Sequence, residues 1–338
     1  MQTPRQPTIE DVAEAAGVSV ATVSRALRGL PNVAPSTRAL VEEVAQALNY
    51  RADPSASRLA RGRTSTVAMA VPLVDGWYFA RVIAGAEAVL ADAGYDLLVF
   101  AVDGDAAKRR VLTGPLVKRA DGLIVVDLHV PDDDYEQLAR SGIRVASIGV
   151  ETDHANCVHV DDHRIGAMAT RHLLDLGHER VALIGGLVDD PMRFPVPVRR
   201  RLGYRSALEE RDIPIRTGYE VSGNFSTTGG SEAMTQLLAL PDPPTAVFAM
   251  SDEMAFGALG AIWRAGLQVP QDLSVIAVDN HEFATVVGLS TVHQHVSEHG
   301  AVAARLVLED LRVRDSPRAR HEIDIELTLR TSTAPPPA

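Results

Sequence analysis

Apolar positions near the N-terminus follow a helical period twice in quick succession. Ile9, Val12, Ala13 and Ala16 recur at i, i+3, i+4 and i+7, behind Thr8 as a cap and Asp11 near the helix's positive end. Gly17 can take the left-handed conformation that closes this helix, and Ser19 opens another two residues later, so the pair must meet in a tight turn. On the second helix Val23, Ala26 and Leu27 face inward, which leaves Val20, Ala21, Thr22, Ser24 and Arg25 outside. Pro35 at a first helical position starts a third helix, with Leu40, Val41, Val44, Ala45 and Leu48 as its inner stripe. The run Asp53-Pro-Ser-Ala-Ser-Arg-Leu-Ala-Arg61 has a cap, an N1 proline and Ala56, Leu59 and Ala60 on one side. At under about three turns such a helix is marginal in water and folds only against another surface.

From Thr66 the pattern changes to short apolar runs alternating with amphipathic stretches. Runs at 67–71, 96–102, 122–126 and 145–148 predict buried parallel strands, with helices near 79–93, 107–119 and 133–140 between them. A second series follows, with strands at 180–184, 246–249 and 273–278 and helices near 164–176, 199–210, 229–240 and 254–264. Two such α/β series predict two lobes with a cleft between them, and ligands bind at the carboxyl ends of parallel strands.

Charge divides the chain the same way. Residues 1–63 carry eight arginines and no lysine against six acids, whereas the remainder holds 25 basic residues against 38 acidic ones within a net charge of −11. Only the small basic end suits a polyanion, so nucleic-acid binding is expected to be oriented through it and to weaken with salt. The 338 residues, 46% of them hydrophobic, suffice for a headpiece and two lobes. The single cysteine, Cys157, excludes an internal disulfide framework and fits a reducing compartment. No apolar signal segment opens the chain and no run approaches about eighteen apolar residues, so a cytoplasmic protein without a membrane partner is expected.

Residues 8–63 resemble the DNA-binding headpiece of the LacI/GalR family of bacterial transcription regulators, most specifically in the run Val18-Ser-Val-Ala-Thr-Val-Ser-Arg25. The resemblance implies a small all-α helix-turn-helix headpiece followed by a two-lobed α/β effector domain of two parallel doubly wound sheets, like a type I periplasmic binding protein. It implies a headpiece over 1–52, a hinge helix and linker over 53–63, a first lobe over 64–162 completed by 291–320, a second lobe over 163–290 completed by 321–330, and a disordered tail over 331–338. The chain would cross between lobes near Asp161, Thr291 and Arg320. Residues 323–329 would add the last strand to the second lobe.

By the same resemblance Ser19, Val20, Ala21, Thr22, Ser24, Arg25, Arg28 and Thr37 form the DNA-binding set. Thr22 and Ser24 should touch phosphates, and Val20, Ala21 and Arg25 should face bases. A guanidinium fork matches the acceptors on guanine, a contact worth about 1–3 kcal/mol of discrimination. Arg28 departs from the asparagine usual in the family, which leaves a phosphate contact or a shift at the groove edge as its roles. Leu59 matches a leucine that wedges into the minor groove and bends the duplex. Effector contacts are implied for Tyr78, Phe79, Asp161, Arg201, Phe225, Asp252 and Asp279, with helix capping as the other reading of Asp252. Met192, Arg193 and Phe194 lie in the loop 187–198, longer than its counterpart in the family's purine and lactose regulators. They either close over the cleft or belong to a rigid, proline-rich surface excursion.

The function expected is that of a DNA-binding transcriptional regulator, a repressor of sugar-catabolism or transport genes. As a homodimer without cofactors, it would bind palindromic operator DNA with an affinity set by a small-molecule effector, a sugar or sugar derivative. A sugar-binding protein of a transport system and a sugar or nucleoside enzyme are the alternatives. Neither Gly-x-Ser-x-Gly nor Gly-x-Gly-x-x-Gly occurs; the spacing of His293-Gln-His-Val-Ser-Glu-His299 could suit a metal, but the resemblance, in which a His-Gln pair here leads into a helix, implies an interlobe crossing instead.

Overall fold

Helix α1, Ile9–Ala16, starts on a reciprocal cap: the Thr8 side chain accepts from the Asp11 amide while Asp11 accepts from the Thr8 amide at 2.7 Å. It ends where Gly17, at φ 65°, lets the Val18 amide reach back to the Ala13 carbonyl at 3.1 Å. Ser19 caps α2, Val20–Leu27, and Pro35 opens α3, Pro35–Ala47. The three helices close over Val12, Ala13, Ala16, Val23, Ala26, Val41 and Ala45. Arg38 fastens α3 to the end of α2 by donating to the carbonyls of Ala26 and Leu30. Leu40, expected inside, is 44% exposed, because it precedes Val41 by one residue and so lies about 100° round the helix from the buried line.

The computed structural model describes residues 7–50, 64–113, 116, 119–186, 195–313 and 317–337. It forms two compact units, 1–64 and 65–338. The expected hinge helix, Leu59 included, and the loop residues Met192, Arg193 and Phe194 lie outside the described residues.

The larger unit contains two six-stranded sheets. The first comprises β1 (Thr66–Val71), β2 (Asp96–Ala101), β3 (Gly122–Val126), β4 (Arg144–Ile148), β5 (Asn156–His159) and β11 (Arg320–Glu322), in the order β11-β5-β4-β3-β1-β2. The second comprises β6 (Val181–Gly185), β7 (Glu220–Ser222), β8 (Ala246–Ala249), β9 (Ser274–Val278), β10 (Ser290–His293) and β12 (Glu326–Thr328), in the order β12-β10-β9-β8-β6-β7. All neighbours run parallel except β10 and β12. Strand alternation sorts the first core: Val67, Met69 and Val71 face one side of β1 while Ala68 and Ala70 face the other, in a separate cluster with Leu123 and Val125.

The helices are α4 (Trp77–Asp92), α5 (Asp105–Thr113), α6 (Asp132–Arg140), α7 (Asp162–Asp175), α8 (Pro195–Glu209), α9 (Thr227–Leu238), α10 (Asp252–Arg264), α11 (Glu282–Val287) and α12 (Val296–Arg312). Three pairs are in backbone contact through reciprocal glycines. A Cβ on Gly166 would strike the Arg200 carbonyl and one on Gly203 the His163 carbonyl, which brings α7 and α8 together. Gly85 with Gly300 does the same for α4 and α12, and Gly230 with Gly257 for α9 and α10.

Several boundaries differ from expectation. Helix α5 is described as far as Thr113, and the rest of the stretch expected to 119 lies partly outside the described residues. Helix α8 already includes Pro195, four residues before its expected start, and Pro197. Thr291 lies within β10, so the second crossing falls at Gln294 and His295; the third falls at 323–325, between β11 and β12. The short strands β5, β7, β10 and β11 lacked a long enough apolar run to be predicted.

The expected disordered tail is instead built into the second lobe. Ser332 is 3% exposed; its hydroxyl accepts from the Ser290 amide at 2.8 Å and donates to the Val275 carbonyl at 2.5 Å. Neutral His178, its pKa lowered by burial, lies 2.9 Å from the Thr245 hydroxyl and donates to the Ala334 carbonyl at 2.8 Å. Ser332→Ala leaves a buried amide and a buried carbonyl short of partners, and should lower stability in urea unfolding by about 1–3 kcal/mol. Gly203→Ala should cost about 1–3 kcal/mol in the same assay by forcing α8 away from α7.

Candidate functional site

Between the two sheets lies a cavity of about 230 Å³, smaller than the clefts of about 300–1,000 Å³ that hold drug-sized ligands and suited to a small polar molecule. Its lining comes from segments that follow the carboxyl ends of strands in both lobes. Tyr78 and Phe79 stand on the first turn of α4 after β1, Asp127 follows β3, and Asp162 opens α7 after β5. From the second lobe come Arg200 on α8, Asn224 and Phe225 after β7, Glu253 after β8 and Asp279 after β9. Gln294 and His299 line the cleft where the chain crosses between lobes. This is the position at which open α/β sheets take ligands, here doubled face to face.

The centre is a buried ion pair. Arg200 Nε donates to Asp162 Oδ1 at 2.8 Å and its Nη1 to the Met250 carbonyl at 2.5 Å, with both side chains almost fully enclosed. Burial works against the charge on Arg200, but Asp162 and Asp279 more than offset it and hold the pKa above its usual value. Removing either partner would strand a buried charge, at a cost of about 3–5 kcal/mol.

A second network spans the crossing. Burial pushes His299 down to about 4, so the ring is neutral. Its Nε2 donates to the Gln294 carbonyl at 2.7 Å, which leaves Nδ1 to accept from the Tyr78 hydroxyl at 3.4 Å. The Gln294 side chain in turn donates to Asp279. An aromatic of the first lobe is thus connected, through the crossing residues, to a carboxyl of the second. Two further contacts join the lobes: Trp77 Nε1 donates to Glu282 at 2.8 Å, and Arg199 meets Glu151 at 3.2 Å.

The structure gathers Tyr78, Phe79, Phe225 and Asp279 in the cleft but not Arg201, Asp161 or Asp252. Arg201 sits 3.5 Å from Glu220 beside β7; one residue is a turn of about 100°, and it is Arg200 that faces inward. Asp161 caps α7, accepting from the Arg164 amide at 2.9 Å, while the next residue carries the cleft carboxyl. Asp252 is fully buried with both oxygens engaged, by the Thr291 hydroxyl and the His281 amide at 2.7 Å each, and Ser251 rather than Asp252 caps α10. Asp252 therefore braces Asp279's strand end.

In the headpiece Ser19, Val20, Ala21 and Arg25 are exposed on one side of α2, while Thr22, Ser24 and Thr37 are half-buried. The Ser19 hydroxyl accepts from the Thr22 amide and lies 2.9 Å from its side chain. Arg28 Nε donates to the Ser24 carbonyl at 3.1 Å, which gives this unusual residue a place at the carboxyl end of its own helix.

Residues 8–53 match a family model described as "Bacterial regulatory proteins, lacI family", and residues 170–333 match one described as "Periplasmic binding protein-like domain". The catabolite control protein A of Priestia megaterium is 33% identical over 96% of this chain and 99% of its own length. The chain belongs to the lacI family. Members are DNA-binding transcription regulators, not enzymes, and this one has the helix-turn-helix headpiece and two-sheet effector body of the family. Among solved structures, a lac repressor dimer bound to operator and the anti-inducer ONPF superposes with a TM-score of 0.85 at 25% identity, covering 98% of this chain and 100% of that one. A complex of the transcriptional regulator CelR with cellobiose gives 0.71 at 29% identity, covering 96% and 99%. No described helix of this lacI-family chain is long and apolar enough to cross a membrane.

Asp127, Asp162, Arg200, Gln294 and His299 are cleft residues missing from the expected set. Asp162 and Arg200 are each one position from a residue that was expected. Asp127 directly follows the predicted strand run 122–126, the same strand-end position that Asp279 holds after its own run. Burial, then the nearby charge of Asp162, raise the Asp127 pKa to about 7 against the attraction of Arg200. A raised carboxyl favours the folded state while protonated, and that contribution is lost as pH climbs from its unfolded value through about 7. Asp127→Asn, which cannot ionise, should therefore gain thermal stability relative to the parent as pH rises across that window, measured as the difference between their unfolding midpoints.

Proposed function

We propose that the protein is a homodimeric repressor of sugar-catabolism or transport genes in the bacterial cytoplasm, and that a carbohydrate held between its lobes sets its affinity for palindromic operator DNA. The observation that carries this reading is the cleft itself. Its buried polar groups come from both lobes and from the crossing between them, so a ligand there favours one lobe arrangement over others, and an arrangement that differs in hinge packing differs in DNA affinity. Carboxyl, amide and guanidinium groups beside Tyr78, Phe79 and Phe225 offer a sugar both hydrogen bonds and apolar ring faces. The lac repressor bound to operator and ONPF, and CelR bound to cellobiose, support extending both ligand classes to this chain.

On the DNA side, Val20, Ala21 and Arg25 read bases, Thr22 and Ser24 touch phosphates, Ser19 and Thr37 belong to the same DNA-binding set, and Leu59 wedges the minor groove. Arg28 steadies the end of α2. Footprinting on the DNA upstream of the protein's own gene should reveal a protected palindrome whose occupancy changes with sugar; no protection with or without sugars would refute the proposal. Arg25→Ala should relax base choice at one position per half-site by about 1–3 kcal/mol, read by competition between operator variants.

A further inference from the structure

The two sheets place different residues at equivalent corners. Gly149 follows β4 and Asp279 follows β9, each the third strand in its sheet's order. The Gly149 amide donates at 2.9 Å to Val158, the third residue of β5, and the Asp279 amide at 2.9 Å to Val292, the third residue of β10. Both have positive φ, 81° and 121°. In the second lobe this corner presents a carboxyl to the cleft. In the first it has no side chain, and a Cβ on Gly149 would fall on Asp127 Oδ1, which reaches the same place from the end of β3.

Asp127 is 5% exposed and lines the cleft, yet among the described residues its Oδ1 is buried with no hydrogen-bond partner. A buried acceptor without a partner costs free energy that a ligand donor would recover. We propose that Asp127 is the first lobe's counterpart of Asp279, a second ligand-anchoring carboxyl that takes a hydroxyl of a neutral sugar from the opposite side of the cleft. The assignment rests on the reading of the cleft as a carbohydrate site and adds to it the residue by which the first lobe grips. Neutrality follows from the lining: among the described residues it holds four carboxyls, Asp127, Asp162, Glu253 and Asp279, against one guanidinium that Asp162 already engages. Burial raises both Asp127 and Asp279 to about 7, where a carboxyl can donate to a hydroxyl as well as accept from it.

The test is calorimetric titration of the full-length protein with ribose, glucose and cellobiose and with the corresponding sugar phosphates. Whichever free sugar binds the parent should bind Asp127→Ala about tenfold or more weakly, with the unfolding midpoint held. Moving the carboxyl across, in Asp127→Ala/Gly149→Asp, should restore affinity, since Asp279 shows that an aspartate is accepted at positive φ at the equivalent corner. Parental affinity in Asp127→Ala while Asp279→Ala abolishes binding would overturn the role of Asp127 and leave the cleft reading intact. So would a loss of affinity that tracks a lowered midpoint and is not restored by the double variant. A sugar phosphate that binds as tightly as its parent sugar overturns the neutral-ligand claim. Binding by none of these probes overturns the carbohydrate reading and the assignment of Asp127 with it.

Discussion

Backbone-to-backbone approach of paired helices is the constraint on which the cleft depends. Gly166 and Gly203 each face a carbonyl of the other's helix, so α7 and α8 pack without intervening side chains. Only at that separation does Arg200, on the contact surface of α8, reach Asp162 at the start of α7. The same device brings α4 against α12, which sets Tyr78 beside His299. Side-chain packing tolerates exchange of similar volumes, but a glycine against a carbonyl admits no atom. The polar geometry of the cleft is inherited from these contacts.

What such a cleft can do follows from its electrostatics. Carboxyls crowd a buried space with one guanidinium, and the molecule accommodates them by raising their pKa values and by giving Asp279 and Asp162 defined partners. Groups that are costly to bury and incompletely satisfied are where a ligand gains most, and here they belong to two lobes joined by three short crossings. Ligand binding and lobe arrangement are then linked by free energy, whichever direction the response at DNA takes.

Much of this was legible in the residues alone. The headpiece was: Thr8, Gly17, Ser19 and Pro35 are punctuation that acts within a turn or two, and the α1 and α2 apolar positions have a single helical solution. Alternating strand and helix runs likewise announced two α/β lobes, because burial on both faces of a parallel sheet requires continuous apolar stretches. Tyr78, Phe79, Phe225 and Asp279 were implied by the family resemblance; the pattern itself located the strand end before Asp279 but no strand before Phe225.

The remainder required the tertiary structure, and for identifiable reasons. Whether Arg200 or Arg201 faces the cleft is a question of helical phase settled by which side of α8 lies against α7. The tail at 331–337 has a composition typical of disorder, yet Ser332 and Ala334 are held by groups on Ser290, Val275 and His178, far away in the chain. Asp127 meets the empty corner at Gly149 only because β3 and β4 are neighbours in space. Periods, caps and breakers are properties of consecutive residues and so were present in the sequence; the orientation of a buried polar side chain depends on partners that only the folded chain brings within reach.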